Sequence, residues 1–182
     1  MLKNINCLAL ALRSGKIECM LSVVVPVFNE SSNIPLLYSR IKNTISTIVP
    51  SYEIIFVNDG SNDNSIGLIK KLSAEDQNVK FIEFSRNFGH QIAVSAGIDM
   101  SGGNAIVIID ADLQDPPELI SRLFAKFKEG NEVVYAKRRV RKGESAFKLF
   151  TARLFYRLLS SITSFDIPLD TGDFRIIDRK IA

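Results

Sequence analysis

The sequence predicts an α/β fold, a mostly parallel sheet with helices on both faces. Three observations predict it. Runs of β-branched and aliphatic residues, LSVVVPV, EIIFVN and AIVIID, read as strands buried on both faces. Strand and helix patterns alternate four times with short connections, the arrangement that produces parallel sheets with crossover helices. Glu30, Asp59, Asp110 and Asp112 fall at the carboxyl ends of successive strands, the edge where such sheets bind ligands. A chain of 182 residues with 46% hydrophobic and 24% charged content fits one globular domain of this kind.

Residues 1–19 precede the first strong strand and hold both cysteines, Cys7 and Cys19, which match no metal or redox spacing. They are expected to be an extension, with the folded domain spanning 20–182. Leu21 to Val27 is the first strand. Ser31 or Ser32 is expected to cap a helix running to about Ile48, with Pro35 tolerated in its first turn. Glu53 to Asn58 is the second strand, and a helix follows from about Ser65 to Glu75. Val79 to Phe84 is the third strand, and His90 to about Ser101 a third helix. His90 reads as a helix-start residue more readily than as a catalyst.

The fourth strand begins at Ala105 and ends in acid, DADLQD. Alternation along an extended strand would put Asp110 and Asp112 on one side, about 6–7 Å apart. With Gln114 beside them they suit a hard divalent cation, Mg²⁺ or Mn²⁺, that also binds phosphate oxygens. Asp115-Pro116-Pro117-Glu118 reads as a helix start capped by Asp115. That helix ends near Gly130, and Glu132 to Ala136 is a fifth strand.

The charge pattern changes after Ala136. The segment from Lys137 to Arg157 carries eight basic residues and one acid, a net +7, within a chain of net +3. Such segregation implies an anionic partner, phosphate groups or a membrane surface; no nucleic-acid partner is expected. Ala146 to about Ile162 reads as an amphipathic helix with a Phe/Leu face, and the interfacial and core readings of that face both stay open. Asp166 to Asp178 presents Asp170, Asp173 and Arg175 around Gly172, ahead of a strand from Phe174 to Ile177. No run of 18 apolar residues occurs. Neither a G-x-G-x-x-G nor a P-loop follows any strand, which removes those two ways of holding a phosphate. Asp59 can accept from ribose hydroxyls or a base N–H; a diphosphate would then need a metal.

SVVVPVFNE, FVNDGSNDNS, SRNFG, DADLQDPPE and TGDFR, in this order, closely resemble family 2 glycosyltransferases with the Rossmann-like GT-A fold. The resemblance covers about Leu21 to Ala182 and is strongest to the polyprenyl-phosphate hexosyltransferases of the dolichol-phosphate mannose synthase and undecaprenyl-phosphate glucosyltransferase types. It implies inverting transfer of a hexose from a nucleotide-diphosphate sugar, of the UDP-glucose or GDP-mannose type, to a polyprenyl phosphate at the cytoplasmic face of a membrane. By motif, Pro26, Phe28 and Glu30 would line the nucleotide pocket, Asp59 would bind base or ribose, and Asp110, Asp112 and Gln114 would hold Mg²⁺ or Mn²⁺. Arg138 and Arg153 would contact the acceptor phosphate, and Asp173 stands where relatives place a catalytic carboxylate. Many members of the group carry two transmembrane helices after this domain, so the chain is expected to be C-terminally truncated; a homo-oligomer stays open. Two alternatives also stand: a family 2 transferase acting on a glycan hydroxyl, although Gln-x-x-Arg-Trp is absent and the chain has no Trp, and a non-catalytic nucleotide-sugar-binding remnant.

Overall fold

The computed structural model describes residues 20–137 and 171–182. Residues 1–19, the helix expected over 146–162, Arg138, Arg153 and most of the basic segment lie outside the described residues. Six strands form one sheet in the order β3-β2-β1-β4-β6-β5, with β1 Leu21–Val27, β2 Tyr52–Asn58, β3 Val79–Glu83, β4 Ala105–Ile108, β5 Val133–Lys137 and β6 Thr171–Asp178. β1 runs parallel to β2 and β4, and β2 parallel to β3. β6 is antiparallel to both β4 and β5 and lies between them. The helices are α1 Ile34–Ile45, α2 Ser65–Glu75, α3 His90–Met100 and α4 Ile120–Lys128.

The periodicity of each element follows from what it buries. All seven residues of β1 are buried, because β1 has strands on both edges and helices on both faces. Val23 and Val25 pack with Ile34, Leu37, Ile41 and Ile45 of α1, Ile69 of α2 and Phe124 of α4. The apolar residues of α1 recur at helical spacing, which presents one stripe to the sheet. On the opposite face Val24, Ile55, Val57, Ile106 and Ile108 pack against Ala93 and Val94 of α3. α3 lies close against β1 there. A β-carbon on Gly97 would stand 2.3 Å from Val24 Cγ1, so only glycine allows that approach.

The boundaries differ from expectation most at four places. α1 begins after Asn33, without a side-chain cap, and ends at Ile45. Ser31 is instead occupied in a turn: its N–H donates to Asp63, and the Glu30 carbonyl accepts from the N–H groups of Asn33 and Ile34. Second, β4 ends at Ile108, where its pairing with both β1 and β6 stops. Asp110 and Asp112 are therefore not alternate residues of a strand; the chain turns, with Leu113 at φ 60. Third, a 3₁₀ turn spans Pro117–Leu119 with Pro116 ahead of it, α4 begins only at Ile120, and Asp115 is buried. Glu118 forms two hydrogen bonds to Arg40 of α1, at 2.8 and 2.7 Å. Finally, β6 is longer than Phe174–Ile177, because its first half pairs with β5. None of the described helices is long and apolar enough to cross a membrane.

Candidate active site

A cavity of about 300 Å³ opens at the carboxyl ends of β1, β2 and β4. Pro26, Val27, Phe28 and Glu30 line it from the end of β1, and Asp59 from the end of β2. Asn87, Gly89, His90 and Ala93 close it from the start of α3, and Asp110, Ala111 and Asp112 from the turn after β4. Six residues singled out from the sequence thus meet in one cavity: Pro26, Phe28, Glu30, Asp59, Asp110 and Asp112. Gln114 is not part of its wall; its N–H donates to Asp112 Oδ1 at 2.9 Å, which fixes the turn.

The first two loops of this edge are zipped together. The Asn29 and Glu30 N–H groups donate to the hydroxyls of Ser61 and Ser65, both at 3.0 Å, and the Asn62 N–H donates to Asn29 Oδ1 at 2.7 Å. The Glu30 carboxylate is oriented by the Asn33 amide at 2.6 Å. Asp59 is buried, and its two oxygens accept from the Phe88 N–H at 2.7 Å and the Gly89 N–H at 3.0 Å. Asp59 therefore fastens the loop before α3, and each of its oxygens keeps a second lone pair for a ligand. Gly60, at φ 67, lies under the same loop; a β-carbon there would stand 2.4 Å from the Arg86 carbonyl carbon. The Arg86 guanidinium covers the exposed Phe88 ring at 4.6 Å, and Phe84 meets Phe88 edge-on.

Asp110 sits in an unfavourable electrostatic position. Its Oδ1 is buried with no hydrogen-bond partner, and His90 Nε2 lies 3.7 Å from it. Burial pushes the Asp110 carboxyl above its ordinary pKa; His90 opposes this, while the carboxylates of Asp173, Asp112 and Asp115 add to it. An unsatisfied carboxylate oxygen among other carboxylates is the donor set a hard divalent cation takes, so the residues present fit such an ion. His90, Asp110 and Asp173 each offer a ligand atom, all within 4.8 Å of one another.

That grouping brings in a residue read from sequence only as a helix start. His90 does begin α3, and its Nε2 also lies 3.0 Å from Asp173 Oδ2. Asp173, on β6, carries Arg175 on its other oxygen at 3.5 Å. The signal available in the sequence was its position, at the carboxyl-end edge one residue after SRNFG.

Residues 22–182 match the family described as Glycosyl transferase family 2. An uncharacterized glycosyltransferase of Bacillus subtilis, YkcC, is 59% identical over 88% of this chain and 50% of its own length. The bactoprenol glucosyl transferase of Shigella phage SfX is 40% identical over 89% of this chain and 53% of its own. The chain spans about half the length of the curated relatives it matches. Among solved structures, the mannosyl-3-phosphoglycerate synthase of Rubrobacter xylanophilus superposes with a TM-score of 0.68 at 18% identity, over 94% of this chain and 57% of that one. The glucosyl-3-phosphoglycerate synthase of Mycobacterium tuberculosis, solved with Mn²⁺, UDP and phosphoglyceric acid, gives 0.65 at 20% identity, over 93% and 59%. Those likenesses show the fold, and with the family match over residues 22–182 they lead to one conclusion: this chain belongs to glycosyl transferase family 2 and has the GT-A fold.

Proposed function

We propose that this domain transfers glucose from UDP-glucose to the phosphate of a polyprenyl carrier at the cytoplasmic face of a membrane, with inversion at the anomeric carbon. The observation that carries the donor half is Asp110, whose buried oxygen lacks a hydrogen-bond donor among the described residues, at the carboxyl edge of the sheet where carboxylates converge. The acceptor is supported by the 40% identity to bactoprenol glucosyl transferases.

In this reading Pro26, Phe28, Glu30 and Asp59 receive the nucleoside. Asp110 and Asp112, with Gln114 beside them, hold Mg²⁺ or Mn²⁺ on the diphosphate. When bound, that cation supplies Lewis-acid neutralisation of the departing charge. Asp173 orients the acceptor or the sugar, since a phosphate monoester is already an anion and needs no strong base. Arg138 and Arg153 offset repulsion between two anions.

Calorimetric titration with UDP tests the donor half: binding should require Mn²⁺ or Mg²⁺ and vanish with chelator. Asp112→Asn should weaken UDP far more than uridine, because only the diphosphate uses the metal. Equal UDP affinity in chelator would remove the metal from this reading. The segment from Lys137 to Arg157 is the expected membrane contact. Co-sedimentation with vesicles should rise with anionic lipid and fall with salt, at roughly 1 kcal/mol per Lys or Arg near the surface; binding indifferent to both would remove the membrane surface as its partner.

A further inference from the structure

We propose that His90 is a positioning residue for Asp173, donating its Nε2–H to that carboxylate and so fixing where the carboxylate stands at the carboxyl edge of the sheet. The inference rests on the functional reading above and concerns a residue that reading does not use.

Three observations carry it. First, the two side chains are 83 positions apart in sequence, yet Nε2 and Oδ2 stand at 3.0 Å. Second, the other Asp173 oxygen faces Arg175 NH1 in an ion pair at 3.5 Å, so the two oxygens have different partners. Third, the imidazole is itself placed from below: Asp59 holds the Phe88 and Gly89 N–H groups, and His90 follows directly as the first residue of α3. The position of the ring is thus set by the end of β2, and that of Asp173 by β6. The ring also lies 3.7 Å from Asp110 Oδ1, which places it between the two carboxylates.

Such a contact fixes the direction of the carboxylate before the acceptor arrives, which is what a group that orients a reactant needs. A phosphate monoester dianion is already a nucleophile and needs no base. One of its oxygens forms a bond to the anomeric carbon, the bond from that carbon to the diphosphate oxygen breaks, and the electron pair leaves with the diphosphate; no proton moves. A hydroxyl acceptor would instead have to surrender a proton to a base.

His90 is the only histidine in the chain, so its ring can be followed by nitrogen-detected NMR in the intact protein with no substrate present. The expected result is an Nε2–H tautomer whose Nε2 resonance moves in Asp173→Asn, with the amide spectrum confirming that the variant is folded. An Nδ1–H tautomer, or a ring indifferent to Asp173→Asn, would overturn the proposal. In transfer assays His90→Ala should lower kcat on the order of 10-fold to 100-fold, as misplacement of a reacting group does, with UDP affinity held within about twofold. His90→Gln, which keeps an N–H donor, should recover most of that loss. Equal impairment of the two variants, or a loss confined to UDP binding, would also overturn it. If the unaltered protein transfers nothing to polyprenyl phosphate, the functional reading fails, while the ring resonances still decide whether the contact exists.

Discussion

Asp110→Asn should raise the stability of the ligand-free protein while removing its response to metal and nucleotide. The wild-type carboxylate has an oxygen without a donor, close to three other carboxylates. Asn keeps an acceptor there but removes the charge, whose uncompensated desolvation costs about 1–3 kcal/mol. The Asp110 side chain is 32% exposed, which argues for the lower half of that range, about 1–2 kcal/mol. For a chain of this length 1 kcal/mol corresponds to about 2–4 °C, so the variant should melt about 2–8 °C higher. The sign of the pH dependence agrees. A carboxyl raised above its ordinary value keeps its proton in the folded state where the unfolded chain has lost it. Wild-type stability therefore declines as pH climbs from the ordinary value of 3.8 through the raised one, a slope the variant lacks. Adding Mn²⁺ and UDP at about 100 times the dissociation constant should stabilise wild type by about 2.7 kcal/mol, or about 5–10 °C, and leave the variant unmoved. The order of the two melting temperatures should thus invert on adding ligand, as read by scanning calorimetry near neutral pH. A variant less stable than wild type without ligand, or equally stabilised with it, would refute the reasoning.

Asp76 joins α2 to α1 by accepting from Tyr38 Oη at 2.7 Å and Lys42 Nζ at 2.8 Å. Burial alone would raise its pKa, but the hydrogen bonds from Lys42, the Asn78 N–H and Tyr38 outweigh it and pull the carboxyl down to about 2. Its contribution is therefore complete above the ordinary carboxylate value and lost as pH falls from about 4 toward 2. Asp76→Asn should cost about 1–2 kcal/mol in urea unfolding at pH 7, a deficit that should shrink below pH 3. Gly60→Ala should displace the 85–89 loop, since its φ of 67 and the 2.4 Å approach to Arg86 both exclude a β-carbon. We expect a loss of about 1–3 kcal/mol in the same unfolding measurement, with UDP affinity falling at least about tenfold.

What could be read in the sequence was whatever depended on local pattern. β1, β2 and β4 announce themselves because they are buried on both faces, and short continuous apolar runs between turn signals are what such strands look like in an α/β domain. The convergence of Glu30, Asp59 and Asp110 followed from the rule for the carboxyl edge of parallel sheets, which needs only chain order. Long-range pairing was out of reach. The end of β4 at Ile108 depends on where β6 stops pairing with it, at Arg175, so strand alternation could not be carried through to Asp112. The meeting of His90 with Asp173 requires β6 to lie between β4 and β5, a placement no local periodicity encodes. That Asp115 is buried is a tertiary property, which the Pro and Glu that follow it do not encode.

The acceptor is the point on which the account turns, and a radiolabelled transfer assay addresses it. UDP-glucose would be offered with a short polyprenyl phosphate, with the polyprenol of the same length, and with a free glycan, each with Mn²⁺ and with chelator. Metal-dependent formation of a glucosylated polyprenyl phosphate, with no product from the alcohol or the glycan, is the expected result. Transfer to a glycan hydroxyl with none to the lipid phosphate would contradict it.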